Sequence, residues 1–188
     1  MKRTILQAAA LVALTTTAFA QETGSTGAGE AIEPEAYAGL WYEIARTPAP
    51  FQDQCDGGVT ASYVIEEDGA IGVVNRCDLP DGTVNSVEGT AETVGDGFRR
   101  LKVDFPQSPE EEGANYVIEA VGPKEGDQYA WAVVRGPGEG FGWILARSPD
   151  VSEEVRAEAE AAMQAAGLDP ARLSNTAQPP QNYEAEGH

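Results

Sequence analysis

Eight stretches of this chain alternate apolar and polar residues with a period of two. That is the period of a β-strand, whose successive side chains leave on opposite faces. The stretches are 39–46, 58–66, 70–77, 84–94, 98–105, 115–121, 128–135 and 141–147. In the first, Trp41, Glu43 and Ala45 share one face, and Tyr42, Ile44 and Arg46 the other. The second groups Val59, Ala61, Tyr63 and Ile65; the third groups Ile71, Val73, Asn75 and Cys77. Leu101, Val103 and Phe105 alternate with Lys102 and Asp104, and Tyr116, Ile118 and Ala120 oppose Glu119. Short turn signals separate the stretches, among them Gly69, Asp81-Gly82, Gly95-Asp96-Gly97 and Gly126-Asp127. Strands in simple order with hairpin-length links predict an all-β fold, an eight-stranded antiparallel up-and-down β-barrel.

Turn chemistry selects one register. A two-residue turn at Asp68-Gly69 would set Tyr63 against Val74 and mismatch the faces. A three-residue loop with Gly69 left-handed sets Tyr63 against Val73, Ala61 against Asn75 and Val59 against Cys77, so both apolar faces agree. After 147 the period changes. Val151, Val155, Ala159, Ala162, Met163 and Ala166 recur at helical spacing. Asp150 and Glu153 fit a capping box, and Gly167 is a stop. The other side of this stretch is rich in Glu, which predicts one C-terminal α-helix packed outside the barrel. A short strand is expected near 172–176.

An eight-stranded barrel is either filled by side chains or left open for one small ligand. Several inward positions are small: Ala45, Ala61, Gly89 and Ala91. The mixture favours a mainly apolar cavity with a few polar groups. Glu43, Tyr63 and Asn75 bring polar atoms to the inward face, beside Trp41, Val103, Phe105, Tyr116 and Trp143. Burying those atoms dry costs a few kcal/mol in total, so water or a ligand head group should meet them. Trp131 is open: inward it shortens the cavity, outward it packs under the helix.

Composition limits the chemistry. Residues 1–20 combine Lys2 and Arg3, an apolar run and Ala18-Phe19-Ala20, which together read as a signal peptide. No Cys follows that cleavage site, so lipid attachment has no acceptor there. The expectation is export, to the periplasm or beyond, without stable membrane insertion. Residues 21–36 read as a flexible leader, 37–178 as the folded domain and 179–188 as a disordered tail. The formal charge is −19, and loss of Lys2 and Arg3 with the signal takes it to −21. Such a charge repels nucleic acid and anionic surfaces. Two cysteines in an exported chain, Cys55 and Cys77, predict a disulfide; free thiols are the alternative. The bridge would draw the Pro-rich 47–56 loop over one end of the barrel. The one histidine, His188, ends the tail, which argues against His-based catalysis and against a haem or other metal centre. No cofactor is expected.

One stretch, Gly39-Leu40-Trp41-Tyr42-Glu43-Ile44-Ala45-Arg46, precedes Trp143-Ile144-Leu145-Ala146-Arg147-Ser148-Pro149 by about a hundred residues. This pair resembles the lipocalin signature, most of all that of the bacterial branch that also contains apolipoprotein D. The resemblance runs from Tyr37 to Gln178. It implies that Trp41 seals the closed end of the barrel and that Arg147 packs across it. It also places Tyr63, Asn75 and Trp143 in a ligand pocket. The implied role is carriage or storage of a fatty acid, lysophospholipid or similar lipid in the cell envelope, and it admits a homodimer. Lipocalin-like isomerases and de-epoxidases supply the competing reading, with Glu43 as the acid or base. That reading needs a second inward carboxylate, and the strand pattern offers none.

Overall fold

A computed structural model describes residues 31–106, 108 and 112–179. Positions 1–20, most of the predicted leader and the tail from 180 lie outside the described residues. The barrel strands are β1 Gly39–Arg46, β2 Gly57–Ile65, β3 Ile71–Asp78, β4 Val84–Thr93, β5 Arg100–Asp104, β6 Tyr116–Val121, β7 Trp131–Arg135 and β8 Gly142–Ala146. Each pairs antiparallel with the next, and β8 pairs back onto β1, so the sheet closes. Each of the eight stretches of period two therefore supplies one strand of the barrel, except that the start of 128–135 is diverted: Gln128–Tyr129 pairs with Lys124–Glu125 in a separate two-stranded sheet, and the barrel strand begins at Trp131. The register at the second hairpin holds Tyr63 against Val73 and Ala61 against Asn75. It then slips between Gly57 and Thr60, so Val59 lies in a bulge rather than squarely opposite Cys77.

Two further bulges correct the inward set. One falls between Glu43 and Ala45, the other between Ile118 and Ala120. An extra residue reverses the parity of everything beyond it. Ala45 thus pairs with Ile144, and Ala120 joins the outer core with Ile144 and Val133. Arg99 stabilises the second bulge by donating to the carbonyls of Ile118 and Glu119, at 2.6 and 2.8 Å.

The folded body starts earlier than the sequence suggests. A short helix, α1 Pro34–Tyr37, opens with Pro34, whose missing N–H is no loss in a first turn. Ile32, Ala36 and Tyr37 are buried at the closed end. Residues 31–36 are therefore part of the body, not of a leader running to 36.

The main helix, α2 Glu153–Ala165, packs outside. Its cap is Ser152 rather than Asp150; the Ser152 hydroxyl accepts from the Val155 N–H at 3.2 Å. At its other end Gly167 takes φ 78°, and Leu168 N–H donates to the Met163 carbonyl at 3.1 Å. That left-handed exit swings Leu168 back onto Met163 in the outer core. Trp131 belongs to this core and is fully buried there, so it points outward and takes no room from the barrel. Gly122 makes space for it: a side chain at 122 would collide with the indole. A ninth strand, β9 Ser174–Asn175, runs along Ala45 and Arg46 of β1, the edge that β2 leaves at Tyr42.

Candidate ligand cavity

The closed end is an aromatic plug. Trp41 is fully buried, and its indole N–H donates to the Tyr37 carbonyl at 2.8 Å. Tyr37 stacks obliquely on Trp41, Tyr63 and Phe98, with ring centroids 5.0, 5.6 and 5.9 Å apart. Arg147 locks the plug from beneath. Its guanidinium carbon lies 3.7 Å from the Trp41 ring centroid. Its nitrogens donate to the carbonyls of Ala36, Tyr37, Ala38, Leu40 and Tyr129. Burial pushes its pKa down to about 10, still charged at neutral pH.

Three phenols lie next to the plug. The Tyr37 and Tyr116 hydroxyls are 2.5 Å apart, and the Tyr63 ring centroid lies 5.9 Å from that of Tyr116. Burial raises all three pKa values, that of Tyr63 to about 12. Beyond them opens a cavity of about 630 Å³. Apolar wall comes from Val59, Ala61, Val73, Val87, Val103, Phe105, Val134 and Leu145. Gly89 makes this shape attainable, because a side chain there would strike the Phe105 ring and the Asp104 carbonyl. Asn115 tightens the thin β5–β6 seam: its amide pairs with the N–H and carbonyl of Val103 at 2.7 and 2.8 Å.

The mouth is held by a chain of polar contacts. Trp143 Nε1 donates to Gln52 Oε1 at 2.9 Å, and Gln52 Nε2 donates to Glu43 Oε2 at 2.9 Å. Glu43 Oε1 accepts from Arg46 at 2.8 Å and from the Thr176 hydroxyl. Gly136 seats the Trp143 ring, since any Cβ there would overlap it. The Cys55–Cys77 disulfide ties the 47–56 loop to β3. Phe51, half-exposed, leans on Phe141 and Trp143 with centroids 6.1 Å apart in both pairs.

Seven of the eight predicted ligand residues line this cavity: Glu43, Tyr63, Asn75, Val103, Phe105, Tyr116 and Trp143. Trp41 does not; it lies under the tyrosine layer, from which Tyr63 and Tyr116 face the cavity. Asn75 Oδ1 is buried on the wall and has no hydrogen-bond partner. Leaving such an oxygen dry costs about 1–3 kcal/mol. Sequence reasoning missed Phe51, Gln52, Gln54 and Asn115. Only the prolines of the 47–56 loop hinted at a cover, and nothing local aims Gln52 at an indole. Both oxygens of Glu43 are engaged by neighbours, which is the geometry of a strut rather than of a free acid or base. Among the described residues no three His, Cys, Asp or Glu side chains could together hold a metal ion. No described helix is long and apolar enough to cross a membrane.

A family model for a lipocalin-like domain matches residues 32–178. The outer membrane lipoprotein Blc of Escherichia coli K12 is 34% identical over 149 residues, covering 78% of this chain and 80% of that protein. Apolipoprotein D of Mus musculus is 30% identical over 159 residues, covering 79% and 78%. Among solved structures, H1 crustacyanin from the lobster Homarus americanus superposes with TM-score 0.58 at 22% identity, covering 77% and 78%. Insecticyanin from the tobacco hornworm Manduca sexta gives 0.57 at 14% identity, covering 85% and 86%. At those identities the two structures speak to the fold alone.

Proposed function

The chain belongs to the lipocalin family, and on that premise we propose that it binds and carries one amphipathic lipid, a fatty acid, lysophospholipid or similar molecule, in its barrel. One observation carries the reading: a cavity of about 630 Å³, apolar along its length and polar at a few fixed points. That volume lies in the range of small-molecule sites, and its wall has the composition such sites need. Glu43, Tyr63, Asn75, Val103, Phe105, Tyr116 and Trp143 are the contacts assigned to the ligand, with Trp41 supporting them from below. The saturated contacts of Glu43 favour a binding protein over a lipocalin-like isomerase or de-epoxidase.

The signal-like residues 1–20 and the similarity to an outer membrane lipoprotein support an exported protein serving the envelope. The assembly is proposed as a monomer or homodimer acting on lipid, not on nucleic acid. Native mass spectrometry of protein from its own cells tests carriage: a co-purifying lipid is expected, and uniformly empty protein counts against it. Displacement of a fluorescent fatty acid tests the pocket. Trp143→Ala should weaken binding more than Trp41→Phe does, because only Trp143 reaches the wall. Equal or reversed effects would remove the assignment.

A further inference from the structure

The polar relay at the mouth has a fixed direction. An indole N–H only donates, so Trp143 needs an acceptor, and it takes Gln52 Oε1 at 2.9 Å. That choice turns Gln52 Nε2, the donor end of the same amide, toward Glu43 Oε2, which accepts at 2.9 Å. The indole on the cavity wall therefore rests where the Glu43 carboxylate is held. Glu43 is buried, and its other oxygen, Oε1, is taken by Arg46 at 2.8 Å and by the Thr176 hydroxyl.

Thr176 comes from the far end of the chain. β1 pairs with β2 only from Gly39–Tyr63 to Tyr42–Thr60. Beyond that it turns to β9, with Ala45 opposite Asn175 and Arg46 opposite Ser174. The two strands part in a fork, and residues 176–178 fill it. Thr176 N–H donates to the Ile44 carbonyl at 3.0 Å, and Gly58 N–H donates to the Ala177 carbonyl at 2.8 Å. Gln178 Nε2 donates to the carbonyls of Glu43 and Val59, both at 2.8 Å. Gly57 leaves the room, since a side chain there would meet the Ala177 carbonyl. With its backbone fixed in this way, Thr176 presents its hydroxyl to Glu43 and also accepts from Arg46 at 3.3 Å. One hydroxyl thus ties the cation and the carboxylate together. Residues 174–178 themselves lie off the cavity wall.

Resting on the lipid-carrier reading, we propose that Thr176 is a positioning residue for ligand retention: from outside the cavity it orients Glu43, and through Glu43 and Gln52 it holds Trp143 against the ligand. The C-terminal segment thereby sets how long the barrel keeps its lipid without touching it. Without the hydroxyl, Oε1 keeps only Arg46, the carboxylate can turn, and Oε2 no longer holds Gln52 in line with the indole.

The test uses the full chain, with two readouts. Hydrogen exchange of the Trp143 indole N–H, followed by NMR without ligand, should quicken about tenfold in Thr176→Val, the worth of one hydrogen bond to a charged group. The Trp41 indole, bonded to the Tyr37 carbonyl at the other end, should not change. Stopped-flow release of a fluorescent fatty acid should quicken in the same variant, and Thr176→Ser should restore both rates. Placed on a Gln52→Ala background, where the relay is already cut, Thr176→Val should add nothing to release. A merely structural Thr176 would cost stability in both backgrounds and leave indole exchange alone. A Trp143 indole that exchanges at the unaltered rate in Thr176→Val overturns the inference, and so does an undiminished acceleration of release on the Gln52→Ala background. If the fluorescent fatty acid fails to bind at all, the carrier reading falls and takes the release arm with it, while indole exchange still decides whether Thr176 positions Trp143.

Discussion

Arg147 gives its guanidinium donors to backbone carbonyls from two segments and its face to an indole. A lysine has three donors on a point charge and cannot reproduce that planar fork. Arg147→Leu is expected to cost at least about 1–3 kcal/mol, the cost of one buried acceptor left unpaired, and Arg147→Lys to recover less than half. Urea unfolding measures both, and the folded fraction should bind ligand unchanged. At this scale the sequence was informative wherever parity ran uninterrupted. Tyr63, Asn75, Val103 and Tyr116 could be placed from the period of two. Ala45 and Ala120 could not, because a bulge is one extra residue that a period of two does not announce; before Ala120 its support is tertiary, Arg99 reaching two carbonyls from another segment.

The β1–β2 loop is the element that controls the mouth. It is pinned by the Cys55–Cys77 bridge, which closes a ring of sequence separation 22. On the chain-entropy view such a ring stabilises by about 3 kcal/mol. The paired Cys55→Ala and Cys77→Ala substitution should lower unfolding free energy by that amount and accelerate ligand release, read by stopped-flow fluorescence. A thiol assay on unreduced, unfolded protein should find no free sulfhydryl. Gln52→Ala keeps the bridge but cuts the link from Trp143 to Glu43, and should raise ligand release with little effect on stability. Outside the barrel, Met163→Ala leaves a cavity beneath α2 at a cost of about 2–5 kcal/mol. Helix, strands and the bridge were legible because each has a local signature. The path of the mouth loop was not, since prolines say where pairing stops but not where a side chain lands.

At the scale of the molecule, pH and salt are the informative variables. The three phenols have folded pKa values above their unfolded value of about 10. Folding therefore favours their protonated form. Their contribution is complete below pH 10 and is lost as pH rises through about 12, the folded value for Tyr63. Melting temperature should fall across that window, and absorbance at 295 nm should show their ionisation only as the barrel opens. A formal charge of −19 opposes compaction, so added salt should raise the melting temperature. The closed topology followed from strand count and simple order. The start of the body at Ile32 did not, because a four-residue helix has no periodicity to read.

The grip of Arg147 on the carbonyls of residues 36–38 and 40 also sets an order of events. The last strand and the first segment lie more than a hundred residues apart, and neither the seam nor the plug exists until both are present. Contacts so distant in sequence are slow to form. A chain emerging from its N-terminus keeps a frayed, sticky ribbon until residue 147 arrives, and only then snaps shut around its hollow.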